Sequence, residues 1–338
     1  MMKEHLVTEG EPAVRFPDVL QILSEETGLL ISDIRHIISS AEVSYKTYTI
    51  PKRSGGMRVI SQPSRQVKIL QQAIINRILL NLPIHESATA YRKGKSILDN
   101  AHPHQGAGRT ILKIDFSQFF PSIKSADWVH FCKKNKLMND IDQYYTSKIL
   151  FKKEPNMRGL RLAIGAPSSP LISNILMYDF DNAVNELIVS EEVVYTRYAD
   201  DLTFSAPRTG YLVDVESKLR KIIRKNVHPR LKINEEKTVY ATSKYRRSVT
   251  GIILTNNGNT SIGRQKKRII SSCVHHAKCG LLSAEDLKKL SGYLAYISSV
   301  EPDFLQYLRK KYGDEIIELL KKIGNPNTKV ELIPKISV

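Results

Sequence analysis

The chain carries only three cysteines, Cys132, Cys273 and Cys279, in 338 residues. Three thiols form no disulfide framework, so the fold must rest on a buried core and a reducing compartment is expected. There is no run of about 18 apolar residues, which excludes a membrane-spanning helix. The opening residues, MMKEHLVTEGEPAVRF, lack the basic-then-apolar layout of a secretion signal, and the expected location is the cytoplasm. No internal repeat or low-complexity segment is detectable. Negative charge is also scarce: 34 Asp and Glu stand against 51 Lys and Arg, a formal net charge of +17. That excess points to a polyanionic partner, nucleic acid before membrane, because neutralised phosphates release their counterions. With 41% hydrophobic and 25% charged residues the composition is that of a soluble globular protein, long enough for one large or two ordinary domains.

Against that scarcity of acid, two carboxylates stand side by side in VVYTRYADDLTFSA, Val193 to Ala206. Val193 to Thr196 and Leu202 to Phe204 are strand formers, and Ala199-Asp200-Asp201 reads as the tip of a tight hairpin between them. Adjacent like charges repel, and one would titrate upward unless a cation sat beside them. A bare Asp-Asp dipeptide is most often a solvated turn. A third carboxylate changes that balance. Asp115 ends the apolar strand Ile111 to Ile114 and is followed by Phe116-Ser117-Gln118-Phe119-Phe120. An Asp ending one strand beside an Asp-Asp hairpin supplies the carboxylates of a two-metal site, which clamps the attacking and leaving oxygens of an in-line displacement at phosphorus. Mg²⁺, which prefers carboxylate oxygens and substrate phosphates, suits it. The set indicates a nucleotidyl-transfer palm.

Around this centre the chain reads as α+β. Val19 to Leu23 and Leu29 to Ile38 have helical spacing, with Ser32-Asp33 as the start of the second helix. Tyr45 to Ile50 and Met57 to Ser61 read as strands joined by Pro51-Lys52-Arg53-Ser54-Gly55-Gly56. Arg65 to Leu80 is an amphipathic helix. Ala90 to Lys95 (AYRKGK) is basic with one aromatic and suits a nucleic-acid backbone. Ala126 to Lys136 and Asp140 to Lys152 read as helices, Lys152 to Leu162 as a loop, and Ser168 to Leu187 as one helix. Tyr211 to Val227 is a further amphipathic helix. Leu231 to Asn234 and Lys237 to Ala241 follow, then strands at Ser248 to Leu254 and Ser261-Ile262 around the turn Asn256-Asn257-Gly258-Asn259. Arg264 to Cys279 (RQKKRIISSCVHHAKC) is a helix with five basic residues and no acidic one, stopped by Gly280. Its Cys and His side chains on one continuous helix cannot readily wrap a tetrahedral zinc, whereas a basic helix laid along RNA fits. Ala284 to Ser298 and Asp303 to Lys322 complete the helices.

Tyr198-Ala199-Asp200-Asp201, preceded by Tyr195-Thr196-Arg197 and with Asp115 upstream, resembles the palm of reverse transcriptases. Gly165-Ala166-Pro167-Ser168-Ser169-Pro170 lies where that family positions the incoming nucleotide and template. Three further pieces narrow the resemblance to retron reverse transcriptases. They are Asn100-Ala101-His102-Pro103-His104 (the NAxxH pattern), Leu231 to Thr238 (LKINEEKT) and the triplet Val249-Thr250-Gly251. The motifs run in the family's order from about Arg58 to Gly263. One departure is Ile164, where the family often has Gln.

The resemblance implies a right-hand polymerase fold: N-terminal helices 1–44, fingers with the NAxxH segment 45–108, palm 109–245 with some fingers helices inserted, thumb and RNA-recognition region 246–322, and a tail 323–338. It implies catalysis by Asp115, Asp200 and Asp201, with Phe116 joining them as ligands of two Mg²⁺ ions, for which Mn²⁺ could substitute. Arg58 and Arg65 are expected on the triphosphate, where a guanidinium fork matches phosphate oxygens. Phe120 would face the ribose 2′ position and set sugar choice. At Gly165, beside Ala166, a backbone without Cβ could approach a base pair or ribose closely. Lys237 resembles the lysine that polymerases hold near the leaving pyrophosphate. RNA contacts are expected from Asn100, His104, Val249, Thr250, Gly251, Arg264, Lys266, Lys267, Arg268 and Lys278. The implied partners are a dedicated structured non-coding RNA and its reverse-transcribed DNA, deoxynucleoside triphosphates and a separate effector protein, with no membrane. Priming from an internal guanosine 2′-hydroxyl and a role in defence against phage are also implied. The alternatives are a diversity-generating or intron-type reverse transcriptase, or a non-catalytic RNA-binding scaffold. The absence of further modules after the helices argues against an intron-type enzyme, and three intact carboxylates argue against an idle scaffold.

Overall fold

The structure, a computed structural model, describes residues 16–52, 55–188 and 192–323. The tail from Gly324 and Arg53-Ser54 of the first expected turn lie outside the described residues. Eleven strands are described, in chain order: β1 (Tyr45–Pro51), β2 (Met57–Pro63), β3 (Thr110–Phe116), β4 (Lys152–Lys153), β5 (Leu160–Arg161), β6 (Val194–Tyr198), β7 (Asp201–Ala206), β8 (Ile233–Ala241), β9 (Arg247–Val249), β10 (Ile252–Leu254) and β11 (Thr260–Ser261).

The central sheet has the order β6-β7-β3-β8, and its paired strands are antiparallel. TILKIDF of β3 is buried on both faces save for Lys113, as an apolar run in mid-sheet should be. Helices Ser169–Leu176, Tyr178–Ile188 and Thr209–Lys225 pack their apolar stripes into the same core, which extends to the N-terminal helices Val19–Thr27 and Ile31–Ser40 and to helix Arg65–Arg77. A second core joins β9, β10 and helices Arg264–Lys278, Ala284–Val300, Pro302–Tyr312 and Asp314–Lys322. Ala101, Ile111 and Ala241 belong to this second core and tie it to the central sheet.

Several elements differ from the reading of the sequence. The expected helix Ser168 to Leu187 breaks at Met177, whose φ of −88° and ψ of 0° leave the helical region. Asn174 and Asp181, on successive helices either side of the break, both bind the buried Arg197. The expected helix Asp303 to Lys322 is interrupted at Gly313, at φ 102°, where glycine takes a left-handed conformation at little cost. The run Ser248 to Leu254 is two strands joined by Thr250-Gly251, with φ values of 47° and 82°, the paired positive values of a tight hairpin turn. Lys152 to Leu162 is not a plain loop, since its ends pair as β4 and β5. Leu231 to Asn234 and Lys237 to Ala241 largely merge into β8, whose register shifts opposite Lys113 and Asp115. The second helix starts at Ile31 with Leu30 as its cap and no side-chain cap bond; Ser32 and Asp33 fall in its first turn.

Candidate active site

The register of the central sheet assembles the three carboxylates. Asp115 on β3 pairs with Asp201 on β7 and, on the opposite side, with Asn234 on β8. Tyr198 pairs with Asp201, so Ala199 and Asp200 form the two-residue turn of the β6–β7 hairpin. The amide of Phe116 donates to the carbonyl of Asp200 at 3.2 Å, which fixes the turn against the end of β3. Burial and the neighbouring Asp115 push the Asp200 carboxyl above the usual carboxylate range, against the opposing fields of Lys237 and Arg58. Burial and Asp200 raise Asp201 to about 6, with Lys113 opposing. Lys237 donates to both oxygens of Asp115, at 3.0 and 3.1 Å. This ion pair, first among the causes, raises the Lys237 pKa and keeps it a cation at neutral pH.

The donor set fits a divalent metal chemically: hard oxygens and mutual repulsion, with Lys237, Lys113 and Arg58 as partial counter-charges. Its present geometry is not that of a closed cage. Among the described residues no group of three His, Cys, Asp or Glu side chains is arranged as one. Lys237 holds Asp115 through both carboxylate oxygens.

Beneath the hairpin lies a feature that sequence reasoning missed. Arg197, fully buried on β6, makes a forked pair with Asp181, Nε to Oδ1 at 2.8 Å and Nη2 to Oδ2 at 2.6 Å. Its Nη1 donates to Asn174 Oδ1 and to the carbonyl of Ala199, both at 3.1 Å. The Tyr195 hydroxyl donates to Asp181 at 2.7 Å. Ala199 has φ 59°, an uncommon value for a residue with a Cβ, and the Arg197 contact holds its carbonyl. The available signal was an arginine within an apolar strand, which has to find a carboxylate partner.

Arg65, Tyr91, Phe120, Gly165 and Ala166 line a cavity of about 600 Å³. Phe120 is half-buried there, its ring 6.4 Å from that of Tyr91 and 5.4 Å from that of Phe119. Arg58 stands exposed on β2, close enough for its charge to be felt at both Asp200 and Tyr91. Gly165, at φ 114°, is constrained by packing against β2: a Cβ would lie 2.8 Å from Ile60 Cγ2 and 3.2 Å from the Ser61 carbonyl. The amide of Ser61 donates to the carbonyl of Ile164 at 2.7 Å, which stitches this segment to β2.

Three of the expected RNA contacts are not at the surface. Asn100 and His104 are fully buried. His104 bridges Thr196 of β6 and Ser205 of β7, at 2.8 Å to each hydroxyl, and burial pushes its pKa down to about 3. Asn100 accepts from the Thr89 hydroxyl at 2.9 Å. The segment braces the back of the hairpin. Val249 is core, while Gly251 is exposed and Thr250 donates to the carbonyl of Ile97 at 3.0 Å. On helix Arg264–Lys278, the exposed residues Arg264, Arg268 and Lys278 share one side. Lys266 lies at the other border of the buried stripe, 5.8 Å over the Tyr296 ring. Lys267 is bound to Glu301.

Carboxylates gathered at the end of an antiparallel sheet, a cavity the size of a nucleotide site beside them and a basic helical unit beyond define a polynucleotide polymerase of the palm type. The chain belongs to the reverse transcriptases, in their retron group: the family described as reverse transcriptase (RNA-dependent DNA polymerase) matches residues 50–269. It is 38% identical over 281 residues to the Retron Ec83 reverse transcriptase of Escherichia coli, covering 82% of this chain and 90% of that protein. To the Retron Ec86 reverse transcriptase of the same organism it is 33% identical over 306 residues, 87% of this chain and 90% of that one. It is an RNA-directed DNA polymerase with right-hand architecture. No helix among the described residues is long and apolar enough to cross a membrane.

Proposed function

We propose that this enzyme reverse transcribes one dedicated, structured non-coding RNA. Priming from an internal guanosine 2′-hydroxyl gives single-stranded DNA linked to RNA through a branch, within an anti-phage system that includes a separate effector protein. Likeness to retron reverse transcriptases over four-fifths of the chain is the observation that carries this reading. In it, residues 45–108 form the fingers, 109–245 the palm and 246–322 the thumb.

Two Mg²⁺ ions on Asp115, Asp200, Asp201 and the Phe116 carbonyl, or Mn²⁺ in their place, would activate the attacking hydroxyl and neutralise the triphosphate. Arg58 and Arg65 grip phosphate oxygens. Phe120 blocks a 2′-hydroxyl, and Gly165 and Ala166 close the nucleotide cavity. Lys237 carries positive charge to the leaving group and can donate it a proton. Asp200→Asn removes DNA synthesis by about 100-fold or more while RNA affinity, which comes from distributed positive charge, changes little. Primer extension and RNA titration on the same preparations check this, and synthesis within about tenfold of wild type would refute the assignment. Sequencing the nucleic acid that co-purifies with the wild type tests the RNA: one defined species branched to DNA is expected, and a random population would argue against it.

A further inference from the structure

A second recess lies just past Asp115, where the one-turn helix Phe119–Ser122 contributes Ser122 to its wall and Phe120 to that of the nucleotide cavity. Ser117, Gln118, Lys124, Arg161, Arg230 and Lys232 line it, and its volume is about 600 Å³. It continues the strand pair that carries the chemistry: Asp115 pairs with Asn234, and beyond that pair the amide of Ser117 donates to the carbonyl of Lys232 at 2.8 Å. Two strand residues span about 7 Å, so the recess opens roughly one phosphate group away from the carboxylates.

Its charge is of one sign. Two lysines and two arginines face it and no carboxylate lines it, in contrast to the acidic site next door. Among the described residues none of the four cations forms an ion pair. Arg161 is fixed by donating to the carbonyl of Pro121 at 2.6 Å, and its Nε is buried without a partner. Clustered like charges around a concave recess repel one another and focus field on any anion that enters. A nucleic-acid strand spreads its phosphates along a track, whereas this recess gathers four cations around one cavity, which suits a compact polyanion.

The reaction makes such an anion at every step. The primer hydroxyl oxygen bonds to the α-phosphorus of the incoming nucleotide and loses its proton to solvent. The bond from that phosphorus to the bridging oxygen breaks, and the bond's electron pair leaves with inorganic pyrophosphate. We propose that the Lys124–Arg161–Arg230–Lys232 recess receives this pyrophosphate and is its route out of the site. The proposal rests on placing the chemistry at Asp115, Asp200 and Asp201.

The test adds inorganic pyrophosphate to primer extension, and measures inhibition together with the reverse reaction, in which pyrophosphate attacks the terminal nucleotide and regenerates a triphosphate. In the double variant Lys124→Ala/Arg230→Ala, the pyrophosphate concentration giving half inhibition rises roughly tenfold, as loss of a charge-assisted contact predicts, and pyrophosphorolysis slows. The charge-keeping variant Lys124→Arg/Arg230→Lys retains most of the wild-type response, and thermal melting verifies that both are folded. Inhibition and pyrophosphorolysis unchanged in a folded double variant would overturn the proposal. So would a fall in RNA affinity with inhibition unchanged, which would make the recess part of a nucleic-acid track. Asp200→Asn, run alongside, reports separately on the catalytic placement.

Discussion

Asp201 shows how much of this site is electrostatic tension. Its folded-state pKa is raised from 3.8 to about 6 by burial and by Asp200 and Asp115. A carboxyl raised in the folded state costs stability when ionised: the penalty is absent below the unfolded value and complete above the folded one. Metal-free protein therefore takes on this penalty, and loses stability, as pH climbs from about 4 to about 6. Asp201→Asn is expected to stabilise the chelator-treated protein at neutral pH by about 1–2 kcal/mol, allowing for partial exposure, and the gain shrinks as pH falls through 6. Denaturant melts of both proteins at about pH 8 and pH 5 check the sign, and a gap that stays constant would remove repulsion as its cause. In the proposed reading Phe120 acts by shape instead. Val in its place opens the cavity beside Tyr91 and raises ribonucleotide use relative to deoxynucleotide by roughly tenfold, since only a clash is lost. Competition assays with mixed nucleotides decide this, and an unchanged ratio would return Phe120 to a packing role.

For the β6–β7 hairpin as an element, the buried Arg197–Asp181 pair is the support. Removing one member leaves a buried charge, so Asp181→Asn is expected to cost about 3 kcal/mol and to depress DNA synthesis. The double change Arg197→Met/Asp181→Leu replaces the pair with apolar volume and recovers most of that stability. It does not recover synthesis, because the Ala199 carbonyl has lost its donor and Asp200 its fixed position. Unfolding and single-turnover extension on the three proteins separate the two roles. Wild-type synthesis in a stable double variant would mean that the hairpin holds its shape without the pair.

In the whole molecule, chemistry and basic surface belong to different cores. The carboxylates sit at the edge of the larger core, and the basic helix Arg264–Lys278 sits on the smaller one. Exchanging residues from about 249 onward for those of a related enzyme is therefore expected to redirect RNA choice while extension of a generic primed template persists. The exchange has to preserve the packing of Ile97, Leu98 and Ala101, which lie against the second core. Arg264→Ala or Arg268→Ala each reduces the slope of log affinity against log salt by about one unit if a phosphate contact is lost. A chimera that keeps its original RNA would move recognition toward the N-terminal helices or the exposed basic segment around Arg92 to Lys95.

The sequence alone determined the β6–β7 hairpin, the strand that ends at Asp115, the basic helix and, through resemblance of its ordered motifs, the polymerase class. These are local signals: strand formers flanking YADD, an apolar run ending at Asp115, and 3.6-residue spacing in RQKKRIISSCVHHAK. Only the tertiary structure decided what those signals meet. Register between strands 80 or more residues apart in sequence put Asp115 opposite Asp201, and no local pattern encodes that pairing. Asn100, His104 and Val249 were expected as contacts for RNA because they belong to motifs that resemble those of retron reverse transcriptases. Folding buried them, since long-range partners such as Thr89, Thr196 and Ser205 could satisfy the polar pair. Gly165 followed the same logic, its constraint coming from β2, a hundred residues earlier. Local chemistry fixes what a residue can do, whereas long-range packing decides whether water, a neighbouring strand or a substrate reaches it.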